Sequence, residues 1–297
     1  MSALGAVKRA VCTVVKGKDE VVDLALTAVL AGGHVLLEDV PGVGKTTLAH
    51  SLASALGGTF SRIQFTSDLL PGDITGTNVL DPVNGGMAFR PGPLFANVVL
   101  ADEINRTTPK TQSALFEAME EGQVTVDGVC RPLPTPFLVV ATQNPYDHHG
   151  TYALPESQLD RFLLRLSMGY PDRESEREVL RQVGRFELSA AIEPGQVLAL
   201  RDQADRVDVA EPIEDYLLDL VRRTRADSRL VRGVSTRGAK ALYRAARALA
   251  LLEGRTYVVP EDVRRLAGPV LAHRVLARQR DGERVAIDDL LGEVPHP

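Results

Sequence analysis

Pro41-Gly42-Val43-Gly44-Lys45-Thr46-Thr47 carries the chemistry most directly read from this sequence. Glycines in a short loop let backbone N–H groups close on an anion, and a helix opening at the lysine aims its N-terminus the same way. Lys45 would reach the outer phosphates of a nucleotide, and the Thr46 hydroxyl would ligate Mg²⁺. The usual pattern starts with a glycine separated by four residues from the Gly-Lys pair. Asp39 stands there instead. A bound metal needs a carboxylate, and Asp102-Glu103 closes an apolar run, Val98 to Ala101, where one belongs. Asp102 would hold the metal through water, and Glu103 would orient and activate the attacking water. Neighbours along a strand face opposite sides, so both acids reach one site only if the chain turns there. Asn144 ends the next apolar run and could hydrogen-bond a γ-phosphate or the water. Arg161, in Gln-Leu-Asp-Arg-Phe, and Arg237, in Val-Ser-Thr-Arg-Gly, could supply a planar cation to a phosphoryl group.

These groups meet only if strands carry them to a common edge. Five apolar runs qualify: His34 to Leu37, Phe60 to Phe65, Val98 to Ala101, Phe137 to Ala141 and Phe162 to Leu166. Four are nearly continuous and one alternates. Interleaved with helical patterns such as Leu48, Leu52, Ala55 and Leu56, they predict an α/β fold with a parallel sheet covered on both faces. Asn84-Gly85 and Asp127-Gly128, each between alternating segments, predict hairpins near 78–93 and 123–134. Thr108-Pro109 opens a helix and Gly122 ends it. Before the loop, 3–30 reads as helices broken at Gly17. Beyond Tyr170-Pro171 the pattern turns helical, with candidates at 173–184, 212–225, 235–253 and 260–277, so a domain boundary is expected near 170.

The chain has 297 residues, 44% of them hydrophobic, enough for one large domain or two ordinary ones. Residues 1–170 hold 12 Lys/Arg and 17 Asp/Glu, and the remainder 22 and 22, which together make the net charge of −5. Neither part is a basic block, which argues against duplex binding by bulk charge. Cys12 and Cys130 make no disulfide framework and have no zinc-site spacing, which suggests a reducing compartment. No apolar run is long enough to span a bilayer, and the N-terminus lacks a secretory h-region. The expected location is the cytoplasm. His148-His149, adjacent on a loop with no third ligand, reads as solvated rather than metal-binding.

Taken in order, the segments Leu-Leu-Glu-Asp-Val-Pro-Gly-Val-Gly-Lys-Thr (36–46), Phe-Thr-Ser-Asp-Leu-Leu-Pro-Gly-Asp-Ile-Thr-Gly (65–76), Ala-Asp-Glu-Ile-Asn-Arg (101–106), Ala-Thr-Gln-Asn-Pro (141–145) and Pro-Glu-Ser-Gln-Leu-Asp-Arg-Phe (155–162) resemble the MoxR family of AAA+ ATPases. The resemblance implies a P-loop αβα sandwich over 1–170 with a five-stranded parallel sheet, followed by a small all-α lid over 171–297. It implies that Pro41 to Thr47 cradle ATP, that Thr46 and Asp102 hold Mg²⁺, and that Glu103 is the catalytic base. Asn144 would be the sensor-1 residue and Arg237 the sensor-2 residue. Gly17 would lie against adenine. Arg161 would be an arginine finger acting on a neighbour's nucleotide, with Arg106 and Arg165 as the other arginines that could serve. The Asn84-Gly85 hairpin would be an insert within the second helix, and the Asp127-Gly128 hairpin would precede sensor 1. The family's rings are hexameric, and its expected partner carries a von Willebrand factor A domain.

The function expected on this basis is Mg²⁺-dependent ATP hydrolysis coupled to remodelling of protein clients or metalloprotein complexes. Two alternatives remain open at this point. One is a ring ATPase of the chelatase or nucleic-acid-motor type, against which stands the lack of Lys or Arg at the hairpin tips. The other is an ATP-switched assembly module in which hydrolysis is incidental.

Overall fold

The computed structural model describes residues 3–81, 86–144, 151–181, 188–278 and 282–295. Helices α1 (Ala3–Val14) and α2 (Asp19–Leu30) precede β1 (Val35–Glu38), and Gly17 and Gly32 take the left-handed backbone that ends each helical run. Then come α3 (Lys45–Ala55), β2 (Phe60–Gln64), the short α4 (Pro71–Thr75) and a hairpin of β3 (Gly76–Asp81) and β4 (Gly86–Pro91). β5 (Val98–Asp102) leads to α5 (Pro109–Glu121), a second hairpin of β6 (Gln123–Val126) and β7 (Val129–Pro132), and β8 (Leu138–Gln143). α6 (Glu156–Leu159) and β9 (Leu164–Leu166) complete this part. The rest is α7 (Arg173–Arg181), α8 (Pro194–Ala204), α9 (Glu211–Ala226), β10 (Leu230–Arg232), α10 (Thr236–Leu252), α11 (Pro260–Leu271), β11 (Leu276–Ala277) and α12 (Gly282–Glu293).

The central sheet has five strands in the order β2-β5-β8-β1-β9, all parallel. Alternation within the buried strands divides the core in two. Val35, Leu37, Val98, Leu100, Leu138 and Val140 face α1–α3, in a core continuous with that of the C-terminal helices. Leu36, Val99, Ala101, Val139 and Ala141 face α5 through Leu115, Phe116 and Met119. This is the expected αβα sandwich with a five-stranded parallel sheet, followed by a helical part.

The second hairpin turns at Asp127-Gly128 with φ of 50° and 76°, as its sequence requires. The turn containing Asn84-Gly85 lies outside the described residues, as does His148-His149. The first hairpin leaves the end of the five-residue α4 rather than a long helix. Asn78 Nδ2 donates to Asp127 Oδ2 at 2.6 Å, and the Arg131 guanidinium sits 3.8 Å from the Phe89 ring centroid, so the two hairpins brace each other.

The lid departs from its expected outline in three places. Helices α8 and α12 add to the four expected ones. The helix expected over 260–277 stops at Leu271, after Pro269 has removed a backbone donor. Beyond it a 3₁₀ turn, Ala272–Arg274, aims His273 and Arg274 at the core. Finally, Leu276–Ala277 pairs with Leu230–Arg232 as a minor antiparallel ladder. Arg274 is almost wholly buried, donating to Asp160 Oδ1 at 2.8 Å and to the carbonyls of Phe162, Leu163 and Val270. Removing Asp160 would leave a buried guanidinium without its carboxylate, so this arginine rivets the lid to the sheet. No helix among the described residues is long and apolar enough to cross a membrane.

Candidate active site

The carboxyl ends of β1, β5 and β8 meet the start of α3 at a cleft of about 410 Å³. Pro41, Gly42, Gly44, Lys45, Thr46 and Thr47 form one wall, and Asp102, Glu103 and Asn144 the other. Val43 is tucked beneath the loop, 8% exposed. Gly42 (φ 88°) and Gly44 (φ 97°) take left-handed conformations that a side chain would strain, and Gly44 caps α3. The loop thereby presents the helix N-terminus to the cleft. Lys45 Nζ donates to the Asp39 carbonyl at 2.8 Å. Burial lowers the pKa of its ammonium from the usual value, against the opposing pull of Asp102, Asp39 and Glu103.

How both acids face one cleft is answered by the backbone. Glu103 has φ 58° and ψ 50°, left-handed without being glycine, at a cost of roughly 1–2 kcal/mol. Thr142 on β8 stabilises that turn. Its hydroxyl accepts the Glu103 N–H at 2.9 Å and donates to Asp102 Oδ1 at 2.6 Å. Arg62 donates to Asp102 Oδ2 at 2.6 Å, and Gln64 Nε2 to Glu103 Oε2 at 2.9 Å. Arg106 also donates to Glu103 Oε2, at 3.0 Å.

Arg62, Gln64 and Thr142 belong to the site, yet motif spacing does not reveal them. Arg62 and Gln64 are two apart on one face of β2, while Ile63 and Phe65 are buried. That polar pair at the end of an alternating strand is the available signal. It acquires meaning only because β2 lies beside β5, with Gln64 opposite Asp102.

Three expected residues lie elsewhere. Gly17 packs against the start of α7, where an added Cβ would clash with Ser175 Oγ. Arg161 pairs with Glu120 Oε2 at 2.9 Å beside Phe116. Arg237 reaches the other oxygen of the same Glu120 at 3.3 Å, and Asp160 at 3.8 Å. The two arginines therefore converge with each other and do not line the cleft. Arg106 is engaged by Glu103, and Arg165 by Glu38 at 3.5 Å.

The Thr46 hydroxyl and the Asp102 carboxylate line the cleft and could hold a metal, being hard oxygens suited to Mg²⁺. No cluster of three or more His, Cys, Asp or Glu that could hold a metal occurs among the described residues. So sparse a donor set fits an ion that keeps several waters and shares phosphate oxygens.

Residues 34–164 match the model of the ATPase family associated with various cellular activities, and residues 222–293 that of the AAA lid domain. Over 267 residues the chain is 49% identical to YeaC, an uncharacterized protein of Bacillus subtilis, covering 89% of this chain and 83% of that one. It is 43% identical over 274 residues to the chaperone MoxR1 of Mycobacterium tuberculosis, covering 89% and 73%. Protein MoxR of Paracoccus denitrificans is 36% identical over 292 residues, covering 88% and 85%. The crystal structure of a candidate ATPase from Cytophaga hutchinsonii superposes with a TM-score of 0.92 at 38% identity, covering 99% of this chain and 95% of that chain.

Proposed function

The chain belongs to the MoxR family of AAA+ ATPases, and from that premise we propose that its cleft binds and hydrolyses ATP with Mg²⁺ to remodel protein clients. The observation that carries this reading is the convergence of Lys45, Thr46, Asp102, Glu103 and Asn144 on one cleft at a helix N-terminus. Loop N–H groups and Lys45 hold the phosphates, and Thr46 and Asp102 hold the ion. When bound, Mg²⁺ supplies charge neutralisation at the phosphate oxygens. Glu103 accepts the proton of the attacking water, with Gln64 and Arg106 setting its orientation, and Asn144 hydrogen-bonds the water or the phosphoryl oxygen.

Arg161 and Arg237 lie outside their own cleft and share Glu120, which supports both acting on the nucleotide of a neighbour in a ring. Six subunits would be the ring size. The αβα part and the lid would divide near residue 170, with Gly17 on the base side. Leu80 and Met87 stand 69% and 68% exposed on the first hairpin, which suits a protein client better than a phosphate backbone. The relative named a chaperone points the same way. A partner carrying a von Willebrand factor A domain and a cytoplasmic location complete the reading.

The test is Glu103→Gln. It should retain ATP binding by calorimetry while turnover falls at least a hundredfold. Turnover near the wild-type rate would refute the assignment of the base.

A further inference from the structure

Asp39 occupies the position where a phosphate loop ordinarily has glycine, and it is buried, 8% exposed. Its side chain is not among those lining the cleft. Oδ2 accepts the Ser167 hydroxyl at 3.0 Å, the Gly169 N–H at 3.0 Å and the Met168 N–H. All three donors lie just beyond β9, on the segment leading to α7. The Asp39 carbonyl meanwhile takes the Lys45 ammonium. One residue thus ties the loop's lysine to the segment that leads into the lid.

The tie continues past Gly169. Lys18 Nζ donates to the Tyr170 carbonyl at 2.7 Å, and Gly17 packs on Ser175 and Asp172. A hydrogen-bonded brace therefore runs from the phosphate loop through Asp39 and 167–170 to Gly17-Lys18. Sheet order says what this brace faces. Asp102 and Glu103 sit at the end of β5, two strands from β1 on the side away from β9. A triphosphate whose outer end meets Asp102 and Glu103 must extend its nucleoside toward the other side of β1, where β9 and the 167–170 segment lie.

We infer that Asp39 is a positioning residue whose clasp on residues 167–169 sets the base-side wall of the nucleotide site, so that it governs affinity for the nucleoside rather than for the phosphates. This inference rests on the reading of the cleft as an ATP site. A single carboxylate oxygen accepting several N–H and O–H donors is a strong anchor, because charge-assisted bonds are roughly twice as strong as neutral ones. Glycine at this position would leave the loop able to close on phosphate but would free the lid entrance from it.

The experiment compares binding of Mg-ATP and of Mg-tripolyphosphate, which lacks the nucleoside, by calorimetry on the full chain. Asp39→Ala should weaken ATP about tenfold or more and leave tripolyphosphate within about twofold, since the lost anchor is charge-assisted. Asp39→Asn retains a carbonyl acceptor for the Met168 and Gly169 N–H groups and should recover part of the loss. Lys18→Ala should produce the same ATP-selective loss, and the Asp39→Ala/Lys18→Ala double variant should fall short of the summed effects, as residues of one network do. Equal weakening of both ligands would place the effect of Asp39 in the phosphate loop and overturn the inference, as would ATP affinity unchanged in a folded Asp39→Ala. Additive loss in the double variant would overturn the brace. If the wild type binds neither ligand, the ATP-site reading falls and the inference with it, whereas wild-type binding with an indifferent Asp39 removes the inference alone.

Discussion

Asp102 carries two side-chain partners, with Arg62 on one oxygen and Thr142 on the other. The Arg62 side chain is about half exposed, so its ion pair is a modest competitor, worth about 0.2–1 kcal/mol. Arg62→Ala should therefore lower the Mg²⁺ concentration for half-maximal nucleotide binding by at most about fivefold. Titrating Mg²⁺ against a fluorescent ATP analogue measures it. A rise instead of a fall would mean that Arg62 is chiefly a phosphate ligand. Arg62 and Gln64 show why sequence reading stops short here. Their alternation marks a strand, but nothing in it names the acids 40 and 39 residues away that they hold.

His34, at the entrance to β1, joins three elements. The Val139 N–H donates to its Nδ1 at 3.0 Å, so its Nε2 carries the proton toward the Met119 carbonyl, also at 3.0 Å. The ring is buried, and burial lowers its pKa from 6.5 to about 4. The unfolded chain therefore binds a proton that the folded chain excludes as pH falls below 6.5. The stability His34 contributes is full above that value and is lost progressively toward pH 4, by about 3 kcal/mol at the limit. Melting temperatures of the wild type and His34→Gln should accordingly converge as pH drops from 7 to 4.5. Curves that stay parallel would show that His34 does not titrate in this range. Buried His273, whose pKa is lowered by burial and by Arg274, adds a slope of the same sign. His34 and His273 also show the limit of element prediction. The strand and the helix are set by local pattern, but how a buried polar side chain is satisfied depends on which elements converge on it.

At the scale of the molecule, the cleft and the Arg161–Glu120–Arg237 cluster occupy separate places. The proposed sharing of the active centre between neighbours makes a prediction that neither variant alone can make. Glu103→Gln and Arg161→Ala should each be nearly inactive, but mixing the two should restore activity. An interface formed by the intact Glu103 of an Arg161→Ala subunit and the intact Arg161 of a Glu103→Gln subunit is complete. Random assembly at equal amounts makes about a quarter of interfaces so. Steady-state turnover of the mixture measures this, and a mixture no faster than its components would place Arg161 outside the chemistry. The placement of Arg237 beside Arg161 is a tertiary result, since its position in the first turn of α10 says nothing about where that helix docks.

Legible in the amino-acid sequence alone were the glycine-lysine loop, the acid and asparagine strand ends, the five-stranded α/β core, the helical character of the C-terminal part and the two hairpin segments. Each depends on residues close together in the chain: a glycine that permits a left-handed turn, an apolar run that buries a strand, or a Pro that opens a helix. Tertiary structure alone decided the strand order, and with it Arg62 and Gln64 on the acids, Thr142 behind the Glu103 turn, Arg237 with Arg161, and Asp39 on a segment about 130 residues away. The physical reason is that periodicity reports which face of an element is buried but not which element lies alongside it. The irregular residue of the loop was visible from the start, but its partners became identifiable only once β9 was placed beside β1.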